Sequence, residues 1–418
     1  MQKKRVFIVS IALLSAAGVL LLGLPSQSCQ ASRSSLAMSR GSTPSGIKAV
    51  VSANNRFAFN LYAKLGDSSQ NVFFSPYSVS SALAMTYEGA GGKTASEMQR
   101  AMYLPKKNVL GPNMSAINSG LEKDAQNRSL WSGNALWVQK KFPLLKHYTT
   151  RIEKYYGGKA TNLDFVSKPE QSRQTINAFI AKQTRNKITG LIPRGAIDEN
   201  IRIVLTNAVY FKGEWKWQFE KDQTYEGDFK VSPSKVIKTE MMFMVPNEKE
   251  GLEYLDTGDL QILSLPYKGN RFSMLIVLPT GDLESLGRLT ANKLDTYRAQ
   301  MKPRVLDTIS LPKFELHTEY ALKEVLKKLG MPRLFSTRAD LSGMDGKNDL
   351  SISGVYHKAY VKVDELGTEA AGGTAVTGGV TSVTPRNDFR ADHPFIFLIQ
   401  DNQTGNILFL GRVVDPTK

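Results

Sequence analysis

Runs of β-branched and aromatic residues are scattered through this chain at irregular intervals, and that irregularity decides the fold class. RIVLTNAVYF (202–211), FSMLIVLP (272–279), YVKVDE (360–365), FIFLI (395–399) and ILFLGRVV (407–414) each read as strands. The last two, joined by QDNQTG, predict a hairpin. Helical signals dominate the first half: Phe57, Leu61 and Leu65 recur at i, i+4 and i+8. Ser75-Pro76 predicts a helix start, with Ser as N-cap, Pro at the first position and Val79, Ala82 and Leu83 on the buried face. Leu322, Val325, Leu326 and Leu329 predict another helix, stopped by Gly330 after Lys327 and Lys328. Strands and helices do not alternate, so the class is α+β rather than doubly wound. No internal repeat and no long linker-like break interrupts the body, which reads as one domain over 49–418.

The N-terminus has the three parts of an export signal in order. Met1 to Arg5 is a basic head, Val6 to Leu24 an apolar run, and a polar Ser-rich stretch follows Pro25. The expectation is a signal peptide over 1–28, a flexible linker over 29–48, and a secreted, extracellular or periplasmic protein. An uncleaved membrane anchor and a lipid on Cys29 are the alternatives. Cys29 is the only cysteine, so the body has no internal disulfide and no cysteine metal site; the histidines are His147, His317, His357 and His393. The formal charge of +16 is spread along the chain and reads first as a solvated basic surface, with weak polyanion binding as the rival use. No nucleic-acid motif is visible. Sequons stand at Asn113, Asn127 and Asn402.

Two segments invite a functional reading. EGAGGKTASE (88–97) contains Gly-Gly-Lys-Thr, but a phosphate loop needs a first glycine where Tyr87 stands, and it must follow a strand. The local reading is a junction between two helices, with Gly89 ending one in a left-handed conformation and Thr94 and Glu97 forming a capping box for the next. The second segment, ELGTEAAGGTAVTGGVTSVTPR (365–386), has no proline from Leu366 to Thr384 and no charge after Glu369 until Arg386. Alone it reads as a flexible surface loop. Period-two alternation puts Thr368, Ala370, Gly372, Thr374 and Val376 on one face, all small or β-branched, with Glu369 on the other, so the segment could also become an internal strand. The motifs G-x-S-x-G, H-E-x-x-H and G-x-G-x-x-G after a strand are missing, so no enzyme is expected.

NVFFSPYSVSSALAMTYEGAGGKTASEM (71–98), IRIVLTNAVYFKGEWKWQF (201–219), LPKFEL (311–316), YHKAYVKVDELGTEAAGG (356–373) and DHPFIFLIQDNQTGNILFLGRVVDP (392–416) together resemble the serpins, in the family's order. The resemblance is to the inhibitory, prokaryote-like exported form. It implies a serpin fold of about nine helices around three β-sheets, with an exposed reactive-centre loop at about 365–386. The implied activity is suicide inhibition of serine proteases: the loop is cut, an acyl-enzyme forms, and the freed loop enters the main sheet as a new strand. The hinge would be Glu365, Gly367, Thr368, Glu369, Ala370, Ala371, Gly372 and Gly373, where the two glycines depart mildly from the commoner alanines. Loop length places the scissile bond at Thr381-Ser382, with Val380-Thr381 and Ser382-Val383 as alternatives. Val380 and Thr381 suit the shallow pockets of elastase-like or subtilisin-like proteases; cysteine proteases are a further target class. Ser75, Ser78, Asn207 and His357 resemble the family's shutter, with His357 expected to bond Asn207. Trp215, Lys313 and Glu365 resemble its breach, with Lys313 and Glu365 expected to pair. No cofactor is implied, and the molecule is expected to be a monomer. A non-inhibitory binding or chaperone protein of the same fold is the alternative function.

Overall fold

The computed structural model describes residues 40–66, 69–122, 130–246, 251–284, 289–368 and 387–418, all within one compact unit. Helix α1 (Pro44–Tyr62) starts earlier than composition suggests. Thr43 caps it by accepting from the Gly46 amide at 3.0 Å, Pro44 takes the first position, and Ile47 is already buried. The linker expected over 29–48 is therefore too long: a Ser/Gly/Thr-rich composition hides a capped helix start over 44–48. Phe57 and Leu61 face the core as the stripe predicts, while Leu65 lies past the helix end and is still buried.

Ser75 caps α2 (Pro76–Gly89) as expected, accepting from the Ser78 amide at 3.1 Å. Every residue of α2 is buried, so it is a central helix rather than an amphipathic one. The junction to α3 (Gly92–Met102) corrects the sequence reading in two ways. Gly89 is the last residue of α2, and the residue after it is extended; the positive φ of 48° belongs to Gly92. Gly89 serves packing instead, because a Cβ there would sit 2.3 Å from Met344 Cγ. Nor is there a capping box: α3 has Gly91 as N-cap and no side-chain cap bond. Thr94 accepts from the Asp340 amide at 2.9 Å and Glu97 from the Arg333 amide at 3.0 Å, so both stitch α3 to a distant segment. Helices α4 (Lys107–Glu122), α5 (Lys146–Tyr156), α6 (Pro169–Gln183), α7 (Ala291–Gln300), α8 (Lys323–Lys328) and α9 (Ser342–Asp345) complete nine among the described residues. Gly330, with φ of 103°, follows α8 as predicted. Asn113 is buried inside α4, which seals that sequon. No helix of the described residues is long and apolar enough to cross a membrane.

Three sheets are present among the described residues, so the α+β class and the nine-helix, three-sheet expectation hold. The main sheet runs β3 (Lys159–Leu163), β2 (Leu130–Gln139), β4 (Ile203–Phe211) and β14 (Ile352–Asp364), with β13 (Phe314–Ala321) on the far edge of β14. A second sheet holds β1 (Val72–Phe74), β18 (Asn406–Val413), β17 (Phe395–Asp401), β10 (Phe272–Pro279), β9 (Leu260–Pro266), β8 (Leu252–Asp256) and β11 (Lys302–Arg304). Its β17–β18 pair is the predicted hairpin. The third contains β16 (Asp388–Arg390), β12 (Thr308–Pro312), β7 (Lys235–Met244) and β6 (Tyr225–Ser232). One core packs the main sheet, through residues such as Leu205, Val209 and Val361, against α2 and the second sheet. The other face of the main sheet is covered by α6, whose Ile176 and Ile180 pack on Trp137 and Val204.

The geometry that matters lies between β4 and β14. They pair in parallel from Ile203↔Ile352 to Tyr210↔Tyr360, an arrangement slightly weaker per residue than an antiparallel one. β14 then runs on to Asp364 without β4, still paired with β13 as far as Val363, and reverses. Two residues, β15 (Gly367–Thr368), return antiparallel to it, with Val363↔Thr368 and Asp364↔Gly367. Their other side pairs with β5 (Gly213–Glu214), through Gly213↔Thr368.

Candidate functional site

Two polar clusters mark the line along which β4 and β14 meet. The first lies beneath the middle of the sheet. Ser75 sits at the N-cap of α2, Ser78 one turn in, Asn207 in β4 and His357 opposite it in β14. The Ser75 amide donates to His357 Nε2 at 3.1 Å, so the ring proton is on Nδ1 and is donated to Asn207 Oδ1. The predicted His357–Asn207 bond is therefore present. Burial pushes His357 down to about 3, against the raising effect of its bond to Asn207. The ring is a neutral, fully buried linker. Asn207 Nδ2 donates to both Ser78 Oγ and Asn134 Oδ1. Ser78 Oγ also donates to Asn134 at 3.0 Å, and Ser75 Oγ to the Leu408 carbonyl at 2.6 Å. The four predicted residues thus form one network, and Asn134 of β2 is a fifth member that the sequence reading missed. Its only signal is one polar residue in the strand LWSGNALWVQ, a kind of residue that many strands contain.

The second cluster is at the end where β15 enters. Trp215 is buried; its amide donates to Leu366 O at 2.9 Å and its Nε1 to Asp364 O at 3.0 Å. It therefore grips the reversal of the chain. Glu365 is 6% exposed and pairs with Lys313 at 3.3 Å, as expected. Lys313 also reaches Glu240 at 3.2 Å, and Glu365 accepts from Thr224 Oγ1 at 2.8 Å. Burial pushes the Glu365 carboxyl up, but its own backbone amide, the Thr224 hydroxyl and Lys313 outweigh that and hold it below the usual range. Gly367 has a φ of 151°, and a Cβ there would lie 2.1 Å from the Gly213 carbonyl oxygen, so only glycine fits the close approach. Thr368 is fully buried, with Oγ1 2.7 Å from the Tyr267 hydroxyl. Tyr267 is stacked on Trp215 at 4.6 Å between centroids. Thr224 and Tyr267 were also missed; Tyr267 lies in a turn-like stretch, SLPYKGN, with no signal of burial.

Glu369, Ala370, Ala371, Gly372 and Gly373 of the hinge lie outside the described residues. So do Val380, Thr381 and Ser382, the bulk of the loop, the signal segment and Cys29. Among the described residues no group of His, Cys, Asp and Glu could hold a metal ion.

What this arrangement can do follows from its pairing. It is a sheet with a two-residue strand already lodged at one end of a parallel seam, a polar network under that seam, and a half-buried ion pair at the entrance. The family model described as serpin (serine protease inhibitor) matches residues 52–416. A serpin-like protein of Methanosarcina mazei is 37% identical over 379 residues, covering 88% of this chain and 87% of its own. The human leukocyte elastase inhibitor is 36% identical over 379 residues, covering 87% of this chain and 99% of its own. Among solved structures, Serpin48 of the insect Tenebrio molitor superposes with a TM-score of 0.77 at 29% identity, covering 89% of this chain and 98% of that one.

Proposed function

The chain belongs to the serpin family, and from that premise we propose that it is a suicide inhibitor of serine proteases that traps its target by strand insertion. The observation that supports this most is the pairing of Gly367 and Thr368 on both sides, with β14 and with β5. A strand continuing from Thr368 in that register would set Ala370 opposite Val361, Gly372 opposite Ala359, Thr374 opposite His357 and Val376 opposite Val355. All four β14 residues are buried and face the core. Glu369 would fall on the outer face opposite Lys362, which suits a cross-strand charge pair. Counted the same way, Gly354, where the irregularity of β14 begins, would face Thr377. A cut at Thr381-Ser382 therefore frees a segment that spans the whole of β14. In the reaction, the target's serine attacks the Thr381 carbonyl carbon, the Ser382 amine leaves, and the acyl-enzyme travels with the inserting strand before water can reach the ester.

Small residues at Val380 and Thr381 favour an elastase-like or subtilisin-like target, and the kinship with an elastase inhibitor supports the same class. The basic head and apolar run at the N-terminus support action outside the cytoplasm. Mixing the protein with pancreatic elastase or with subtilisin should give a complex that survives SDS, and mass spectrometry of the released C-terminal fragment should begin at Ser382. Thr368→Arg places a guanidinium in a fully buried slot beside Tyr267, so it should be cleaved at a similar rate yet form no adduct. Clean cleavage of the wild type with no adduct would favour the non-inhibitory reading. A stable adduct with Thr368→Arg would refute insertion as the trap.

A further inference from the structure

Tyr267 is a buried side chain whose polar end points at the moving part of the molecule. Its ring cannot swing: it stacks on Trp215 with planes 10° apart and meets Phe211 edge-on at 5.0 Å. Among the described residues its hydroxyl finds one hydrogen-bond partner, Thr368 Oγ1 at 2.7 Å. Burial keeps the phenol protonated, so it remains available as a donor. Gly367 opens β15 after the turn but has no side chain with which to hold a register. Thr368 is thus the first residue of the incoming segment that can be read by the sheet.

We propose that Tyr267 is the register pin of strand insertion, holding Thr368 opposite Val363 so that small, uncharged side chains turn inward. This rests on the inhibitor reading above. The need for a pin comes from the period of a strand. A slip of one residue would turn every following side chain over and drive Glu369 toward the core. A slip of two keeps the faces but presents the Ala370 methyl group to the phenol, which is then buried without a partner. Only the observed register satisfies both. The glycine-rich sequence that follows, with Gly372, Gly373, Gly378 and Gly379, specifies register weakly on its own, which makes an external pin useful.

The test measures how many moles of inhibitor are consumed per mole of elastase inactivated. Wild type, Tyr267→Phe, Thr368→Val, Thr368→Ser and the Tyr267→Phe/Thr368→Val double variant are compared, with melting temperatures of the uncleaved proteins recorded alongside. Loss of one hydrogen bond should raise consumption by about two- to tenfold in Tyr267→Phe and in Thr368→Val. The double variant should be no worse than either single one, since both remove the same bond. Thr368→Ser keeps the hydroxyl and should stay near wild type. An unmoved stoichiometry in Tyr267→Phe, whatever its melting temperature, would overturn the proposal. If Tyr267→Phe does not fold, equal stoichiometries for Thr368→Val and Thr368→Ser would overturn it instead. A wild type that is cleaved without forming an adduct removes the inhibitor reading and the pin with it; a trapping wild type with unmoved variants removes the pin alone.

Discussion

At His357 burial and hydrogen bonding act in opposite directions on the proton, and burial wins. The folded ring titrates at about 3, whereas an unfolded histidine titrates near 6.5. The unfolded chain therefore takes up the proton first as pH falls. Stability from this residue is complete above about pH 6.5 and is lost progressively between there and about pH 3, at up to roughly 1.4 kcal/mol per pH unit. Glutamine at this position can still accept from the Ser75 amide and donate to Asn207, but it does not titrate. His357→Gln should be less stable than wild type at pH 7, and the gap should narrow by about 2.5 kcal/mol at pH 4.5. Urea unfolding at the two pH values reads this directly; a gap that does not change with pH would mean the ring is not held neutral by the fold. The same residue illustrates what a sequence can show. A histidine at 357 and an asparagine at 207 are visible in the chain, and the family pattern pairs them. That the Ser75 amide fixes the tautomer depends on how an N-cap is aimed, which no spacing encodes.

At the junction between α2 and α3, packing against distant segments overrides the local signals. Gly89 lies against α9, with Met344 Cγ 2.3 Å and Tyr148 Cε2 3.2 Å from the position a Cβ would take. Gly89→Ala should destabilise the protein by about 1–3 kcal/mol through overpacking. The mechanism is checked by adding Met344→Ala: the double variant should lose less than the sum of the two single losses, because the second change vacates the space the first one fills. Full additivity in thermal or urea unfolding would mean that Gly89 acts through the backbone alone. The elements themselves were largely legible. Strands β4, β10, β17 and β18 and helix α8 with its Gly330 stop all follow from local composition and period. The capping-box pattern at Thr94 and Glu97 misleads, because Thr-x-x-Glu spacing occurs wherever a helix carries Thr and Glu one turn apart. It cannot reveal that Asp340 and Arg333 supply the amides. Likewise Tyr267 meets Thr368 across 101 residues and Asn207 meets Asn134 across 73. Such partners are set by tertiary register, which a linear reading does not contain.

For the whole molecule, the intact chain is tethered on both sides of the loop. Upstream, Thr368 is lodged between β14 and β5. Downstream, Asp388–Arg390 is held as β16 against β12, with Phe389 fully buried and Asn387 bonded to Asp307. A strand long enough to fill the seam from Val363 down to Ile352 cannot enter while that downstream anchor stays in place, because its far end would have to travel the length of β14. Cutting the loop near Thr381 removes the conflict and leaves β16 where it is. The β4–β14 seam, parallel in the intact molecule, would then be replaced by two antiparallel seams, each the stronger type. The native state is in this view held by a barrier rather than by depth. Cleavage by a protease that does not remain trapped should raise the melting temperature by several degrees or more, since a domain of this size moves by roughly 1 °C for each kcal/mol gained. Thr368→Arg cleaved in the same way should melt close to its intact form, which separates strand entry from any general effect of nicking. If calorimetry found the cut wild type melting no higher than the uncut one, the seam between β4 and β14 would be a finished interface, and the lodged Gly367–Thr368 pair merely its edge.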